Sequence, residues 1–178
     1  SAVIPIDAVK SIDEITCKLE HTDRNNPQEL AKKIKNRIRN NIGPYITCSI
    51  GFAANRLLAK MASKINKPDG VTIWHPLDMP TPILGVAIED VSGIGKNMEI
   101  RLQKAGIYTM LDLWESQPKH LRNIWKNVVG ERLWYAIHGY DIQASGSSRN
   151  MFGHGRVLPP GSRKIKYARD CSRLLLVK

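Results

Sequence analysis

Apolar residues recur in two different rhythms along the first part of the chain. Residues 9–19, Val-Lys-Ser-Ile-Asp-Glu-Ile-Thr-Cys-Lys-Leu, are rich in β-branched side chains and contain neither Gly nor Pro. They predict extended structure with an acidic pair at its middle. The rhythm then lengthens. Asn26-Pro27-Gln28-Glu29 carries a helix-opening signature: Asn as N-cap, Pro at the first helical position and Glu three residues past the cap. Leu30, Ile34, Ile38 and Ile42 follow at every fourth position, predicting one buried stripe, and Gly43-Pro44 predicts its end. Ile46–Phe52 reads as a buried strand running into a helix from Asn55 to about Ile65, with Leu57, Leu58, Met61, Ala62 and Ile65 as its apolar face. Lys67-Pro68-Asp69-Gly70 predicts a turn, and Val71–Trp74 another short strand. Strand, helix, strand, helix, strand is an α+β layer with helices packed on a sheet.

After Trp74 the pattern changes. His75–Pro82 holds three prolines, as a linker would. Beyond it all apolar spacing is helical: one helix from Lys96 to Gly106, a second capped by Thr109 with Asp112 in the capping-box position, then helices over about Lys119–Asn127 and Glu131–Ile137, the last ending at Gly139. Residues 142–150 are Ser/Gly-rich and read as a linker. A strand-like stretch near Met151–Leu158, a Pro159-Pro160-Gly161 turn and a basic helix from about Lys164 complete the chain. That last segment is too short to bury a core of its own, which predicts that the chain stops inside a third domain.

Composition narrows the function classes. With 42% hydrophobic and 24% charged residues the chain reads as soluble and globular rather than disordered, collagenous or disulfide-stapled. No apolar run approaches the ~20 residues of a membrane span, and the start has the features of no secretory signal. The net charge of +11 is uneven: residues 1–74 carry +5, residues 75–141 carry −1 and residues 142–178 carry +7. Two basic blocks around a neutral middle suggest a polyanionic partner, with simple solubility as the plain alternative. Cys17, Cys48 and Cys171 are odd in number, far apart and without a CxxC pair, which argues for a reducing compartment and against zinc.

Three clusters could carry chemistry. In Val91-Ser92-Gly93-Ile94-Gly95-Lys96 a GxG hairpin precedes a helix, the pattern of a helix-hairpin-helix. Glycine permits positive φ and close approach, and the amides at the helix N-terminus can point at a phosphate oxygen. An ordinary αα-hairpin is the alternative. In Ser11-Ile12-Asp13-Glu14 two carboxylates adjoin, and such pairs suit two-metal phosphoryl transfer. Neighbours on a straight strand face opposite ways, so joint action requires a strand end, a turn or a bulge. By spacing alone a solvated pair is the commoner outcome. Lys67, with Lys60 and Lys64 on the preceding helix, could clamp phosphate or simply face solvent.

Taken in order, Ser11-Ile12-Asp13-Glu14, Cys48–Ser63, Lys67-Pro68-Asp69-Gly70 and Val91–Lys96 closely resemble the Y-family, UmuC/DinB-type translesion DNA polymerases. The resemblance implies a fragment. Residues 1–76 would be the C-terminal part of the catalytic palm, 77–141 the helix-hairpin-helix thumb, 142–150 a linker and 151–178 the incomplete start of a little finger. It implies that Asp13 and Glu14 are catalytic and bind two Mg2+ ions, that Lys67 contacts the incoming triphosphate, and that Gly93, Ile94, Gly95 and Lys96 bind DNA. Implied partners are primer–template DNA and deoxynucleoside triphosphates, with a sliding clamp reached through regions outside this chain and no membrane; the implied location is the bacterial cytoplasm, at the nucleoid. The family's other metal-binding aspartate and its fingers would lie ahead of Ser1, so template-directed synthesis past lesions would belong to the parent, and the fragment alone would bind DNA without catalysis. Asp7 does not match that aspartate. Thr16 and Lys18 stand where the family often has an aromatic and an acidic residue. An inactive polymerase-like adaptor in damage tolerance is the alternative reading. An unrelated helix-hairpin-helix repair protein would leave the Ser-Ile-Asp-Glu and Lys-Pro-Asp-Gly segments unexplained.

Overall fold

Ser11 and Asp13 are turn-forming residues, and they bend the chain where β-branched neighbours would extend it. In the computed structural model, which describes residues 3–142 and 157–176, two short strands flank them. Strands β1 (Ala8–Val9) and β2 (Ile15–Thr16) pair antiparallel, Val9 opposite Ile15. The amides of Lys10 and Ser11 both donate to the Glu14 carbonyl, at 2.8 and 3.2 Å. The single run expected over 9–19 is therefore a hairpin, because the Ser11 hydroxyl offers the backbone a local partner that competes with extension.

A short helix α1 (His21–Arg24) leads to α2 (Pro27–Asn41). Asn26 Oδ1 accepts the Glu29 amide at 3.2 Å, and Gly43 (φ +145°) follows the last turn. The stripe on α2 is buried only at its start. Leu30 and Ala31 pack with Phe52, Ile50 and Val71, whereas Ile42 is 69% exposed. The sheet beneath is too short to cover the whole helix: β3 (Ile50–Phe52) and β4 (Val71–Ile73) are three residues each. The buried strand expected from Ile46 accordingly shrinks to its last three residues, and Ile46 is 54% exposed.

β3 and β4 are parallel, with Ile50, Gly51 and Phe52 opposite Val71, Thr72 and Ile73. Parallel neighbours need a crossover, and helix α3 (Arg56–Ile65) supplies it. Leu58, Met61 and Ala62 are buried against the core, while Ile65 at its end is half exposed. Gly51 permits this packing. A Cβ there would collide with the Ala59 carbonyl and lie 2.5 Å from the Ser63 amide nitrogen.

Three single 3-10 turns, Pro76–Asp78, Thr81–Ile83 and Ile88–Asp90, lead into α4 (Lys96–Lys104), α5 (Met110–Glu115), α6 (Pro118–Trp125) and α7 (Val128–Ile137). The capping box of α5 forms in full: Thr109 Oγ1 accepts the Asp112 amide (3.1 Å) and Asp112 Oδ2 accepts the Thr109 amide (2.9 Å). The Tyr108 and Thr109 amides hold the Asp112 carboxyl below the usual carboxylate range. Gly130 lets α7 approach the α6 backbone, since a Cβ would sit 2.6 Å from the Leu121 carbonyl carbon. One apolar cluster runs through residue 76 without a break, joining Leu58, Met61 and Trp74 to Ile83, Val91, Leu102, Leu113 and Ile137.

Residues up to Ile142 form one compact unit. In the second unit the described residues comprise a 3-10 turn (Pro160–Ser162) and helix α8 (Ile165–Leu176), the basic helix expected from Lys164. Of the linker read at 142–150 only Ile142 is among the described residues, and the stretch at 151–156 lies outside them; Val157 and Leu158 are not in a strand. Among the described residues no helix is long and apolar enough to cross a membrane.

Backbone contact at Gly51 yields a stability test. Gly51→Ala should cost about 1–3 kcal/mol, the range for overpacking a tight interior. Gly85→Ala, whose added Cβ meets nothing within 4 Å, should stay within about 0.5 kcal/mol of the unmodified chain. Urea midpoints of the two variants measure the contrast.

Candidate nucleic-acid interface

The acidic pair sits on the hairpin turn. Asp13 is exposed, and its Oδ1 accepts the Ser11 hydroxyl at 2.5 Å. That bond, then Asp13's own amide, then the nearby charges of Lys67 and Lys60 hold the Asp13 carboxyl below the usual carboxylate range. Glu14 is half-buried, and its Oε2 receives Lys60 Nζ at 2.6 Å. One helix thus presents a lysine to the turn, and the loop that follows it presents another.

The three lysines considered together as a phosphate clamp do different things. Lys60 is committed to Glu14, and Lys64 Nζ donates to the Asp90 carbonyl at 3.0 Å. Lys67 is exposed, near enough for its charge to bear on Asp13. Its loop is held from the far side by Asp69, which adopts φ +56° and pairs with Lys35 (Nζ to Oδ1, 3.0 Å). The Asp69 backbone carbonyl also accepts from Lys35 Nζ. Lys35 keeps the Asp69 carboxyl low as well.

Two carboxylates are hard oxygen donors of the kind magnesium takes. As a resident metal site, however, the set is incomplete. Among the described residues no group of three or more His, Cys, Asp or Glu could hold a metal ion, and a cation would compete with Lys60 for Glu14. The residues present do not by themselves fit a two-metal centre.

The glycine segment forms a hook. Gly93 has φ +101°, a conformation that favours glycine, while Val91 and Ile94 are buried and anchor both arms. Gly95 is the N-cap of α4 with no side-chain cap. Its carbonyl accepts from Met98 (2.8 Å) and Glu99 (3.0 Å). The amides of Lys96 and Asn97, ahead of those bonds, have no intrahelical acceptor. They open on a pocket of about 360 Å3 lined by Gly95, Lys96, Asn97, Met98 and Arg101. A Cβ on Gly95 would meet nothing within 4 Å, so the bare backbone there is not required by packing. The hook departs from the expected helix pair on one side: a single 3-10 turn, Ile88–Asp90, precedes it.

Comparison with known proteins bears on this arrangement. Residues 4–64 match the impB/mucB/samB family. A DNA polymerase IV of Pelotomaculum thermopropionicum is 41% identical over 113 residues, 64% of this chain and 27% of the relative. A Y-family DNA polymerase chimera of Dbh and Dpo4 superposes with a TM-score of 0.65 at 27% identity, over 81% of this chain and 42% of the chimera. Family and structural homology point to a Y-family, UmuC/DinB-type DNA polymerase. Its small sheets and packed helices resemble the palm and thumb of these polymerases. DinB from Sulfolobus solfataricus gives a similar match, with a TM-score of 0.62 and 26% identity over 76% of this chain and 40% of that one. The chain therefore spans between a quarter and somewhat over two fifths of the length of these Y-family relatives.

Sequence reasoning missed Asn55 and the division of labour among the lysines. An Asn ahead of a helix signals an N-cap; its contacts with α7, more than eighty residues away, leave no local trace.

The Asp13 environment is measurable. In a carbon-13 NMR titration its carboxyl should ionise below the ~3.9 of an unstructured aspartate, and Ser11→Ala should raise the midpoint. Because the folded value is depressed, the stabilisation is present above the unfolded value and is lost as pH falls through the folded one. A midpoint at or above that of a model peptide would contradict the geometry.

Proposed function

We propose that this chain is the DNA-holding and nucleotide-facing portion of a translesion DNA polymerase whose remaining parts lie outside residues 1–178. In this reading residues 1–76 serve as part of the palm, 77–141 as the thumb, and 151–178 as the opening of a little finger. The observation that carries it is the presence, in one compact unit, of an acidic turn flanked by Lys60 and Lys67 and of an uncapped glycine hook, together with a family match over residues 4–64 and a structural likeness to a Y-family polymerase over 81% of the chain.

The chain's own residues then divide the work. Hook amides and Lys96 hold a backbone phosphate without reading sequence, as contacts of that type do. Lys67 neutralises the triphosphate of an incoming deoxynucleotide beside the turn. Asp13 and Glu14 orient the primer end once a further carboxylate, from outside this chain, completes the set. The fragment alone binds primed DNA and does not extend it.

Two measurements test this. Gly95→Val should leave the fold intact and weaken binding of a primed duplex by tenfold or so, as loss of a charge-assisted amide contact would; binding by the unmodified chain should fall steeply with salt. In the complete protein Asp13→Ala should abolish primer extension while leaving DNA affinity nearly unchanged. Equal DNA affinity of Gly95→Val and the unmodified chain would refute the hook. A complete protein that binds DNA and never extends a primer would instead be an inactive adaptor in damage tolerance.

A further inference from the structure

Apolar packing explains why α3 rests on the sheet, but it does not account for the polar contacts that leave the helix at three levels. At its start, Asn55 Oδ1 accepts the Leu58 amide at 3.0 Å. The same side chain donates through Nδ2 to the carbonyl of Ala136 in the last turn of α7, at 2.6 Å, and to that of Tyr140, three residues past the helix, at 3.0 Å. In its middle, Lys60 grips Glu14. In its last turn, Lys64 donates to the Asp90 carbonyl, one residue ahead of the buried Val91 that roots the hook.

Capping α3 needs only an acceptor, which Ser, Thr or Asp would supply as well. Asn adds donors on the same rigid amide, and here they close the end of α7. Lys64 is exposed, and its bond goes to a carbonyl outside its own helix. Both contacts reach outward from the helix that carries the partner of Glu14. The acidic turn, the C-terminus of α7 and the root of the hook are thereby referred to one rigid rod.

We propose that Asn55 and Lys64 are positioning residues that set the register between the hook and the acidic turn. A strand gripped at Gly93–Lys96 is thus delivered at a fixed offset to Asp13 and Lys67. The proposal rests on the DNA-binding reading above and adds to it the residues that hold the two stations in step. Register matters because a displacement of about 1 Å at a reacting centre can cost a hundredfold in rate, while affinity, spread over many backbone contacts, barely changes.

A tethered cleavage experiment reads register directly. Ile12, at the tip of the turn, is fully exposed. In the full chain with Cys17, Cys48 and Cys171 replaced by serine, Ile12→Cys carries an iron–EDTA label, and an end-labelled primed duplex reports where the strand is cut. The chain with Asn55 and Lys64 intact should cut a narrow window near the primer terminus. Asn55→Ser keeps the cap and loses both donors; Lys64→Met keeps the stem and loses the charge. Each should widen the window roughly twofold, with DNA affinity within about threefold of the unaltered chain, as expected when only hydrogen bonds distant from the ligand are lost. Asn55→Asp, which turns a carboxylate toward the two carbonyls, should widen it at least as much. An unchanged window in both Asn55→Ser and Lys64→Met, even with a lowered urea midpoint, would show the contacts to be merely structural and overturn the proposal. Failure of the labelled chain with Asn55 and Lys64 intact to bind the duplex would overturn the DNA-binding reading itself, and the register with it.

Discussion

Helix α3 can lie on β3 only because residue 51 has no side chain. Backbone meets backbone there: the Ala59 carbonyl and Ser63 amide occupy the space a Cβ would take. Interiors at that density transmit position rather than absorb it, so the strand sets where every other side chain of the helix points. One face goes into the core through Leu58, Met61 and Ala62. The remainder of the helix, its ends included, sends Asn55 to α7, Lys60 to Glu14 and Lys64 to Asp90. The sheet itself is small, and this single close contact makes a three-residue strand pair sufficient as a platform.

Charge is arranged differently at the two stations. At the turn, Asp13 and Glu14 lie beside Lys60 and Lys67, and the Asp13 carboxyl is held below the usual carboxylate range. A half-exposed pair such as Lys60–Glu14 contributes little to stability; its consequence is orientation. At the hook, the surrounding segment has a net charge of −1, and on the proposed reading attraction for a polyanion would fall to peptide amides and Lys96. Oriented backbone dipoles supply local positive potential that a count of charged residues does not reveal. The basic blocks on either side of that segment in the sequence would, on the same reading, add long-range attraction that salt screens.

Local features were legible and distant ones were not. Asn26 as a cap, Gly43 as a stop and the Thr109–Asp112 box are bonds between a side chain and backbone within a few residues, and the structure forms them as read. The helices after residue 95 begin and end within a few residues of where their apolar spacing put them. The extended run at 9–19 misled, because β-branched content says that residues avoid the helix without saying where Ser11 and Asp13 will fold the chain back. The stripe on α2 misled in another way. Periodicity states which residues share a face, and only the length of the sheet beneath decides how many of them are covered.

The candidate residues show the same boundary. That an acidic pair and a Gly-x-Gly segment exist, in that order and with those neighbours, is written in the chain and needs no fold. Whether the two carboxylates face lysines, whether Gly95 is bare by necessity of packing, and which of Lys60, Lys64 and Lys67 is bound to what, depended on tertiary structure. Cap and turn energies involve atoms a few bonds apart, so they survive in any fold that contains the segment. Contacts such as Asn55 with Ala136, or Lys60 with Glu14, join residues that only the packing of α3 across β3 and against α7 brings within reach.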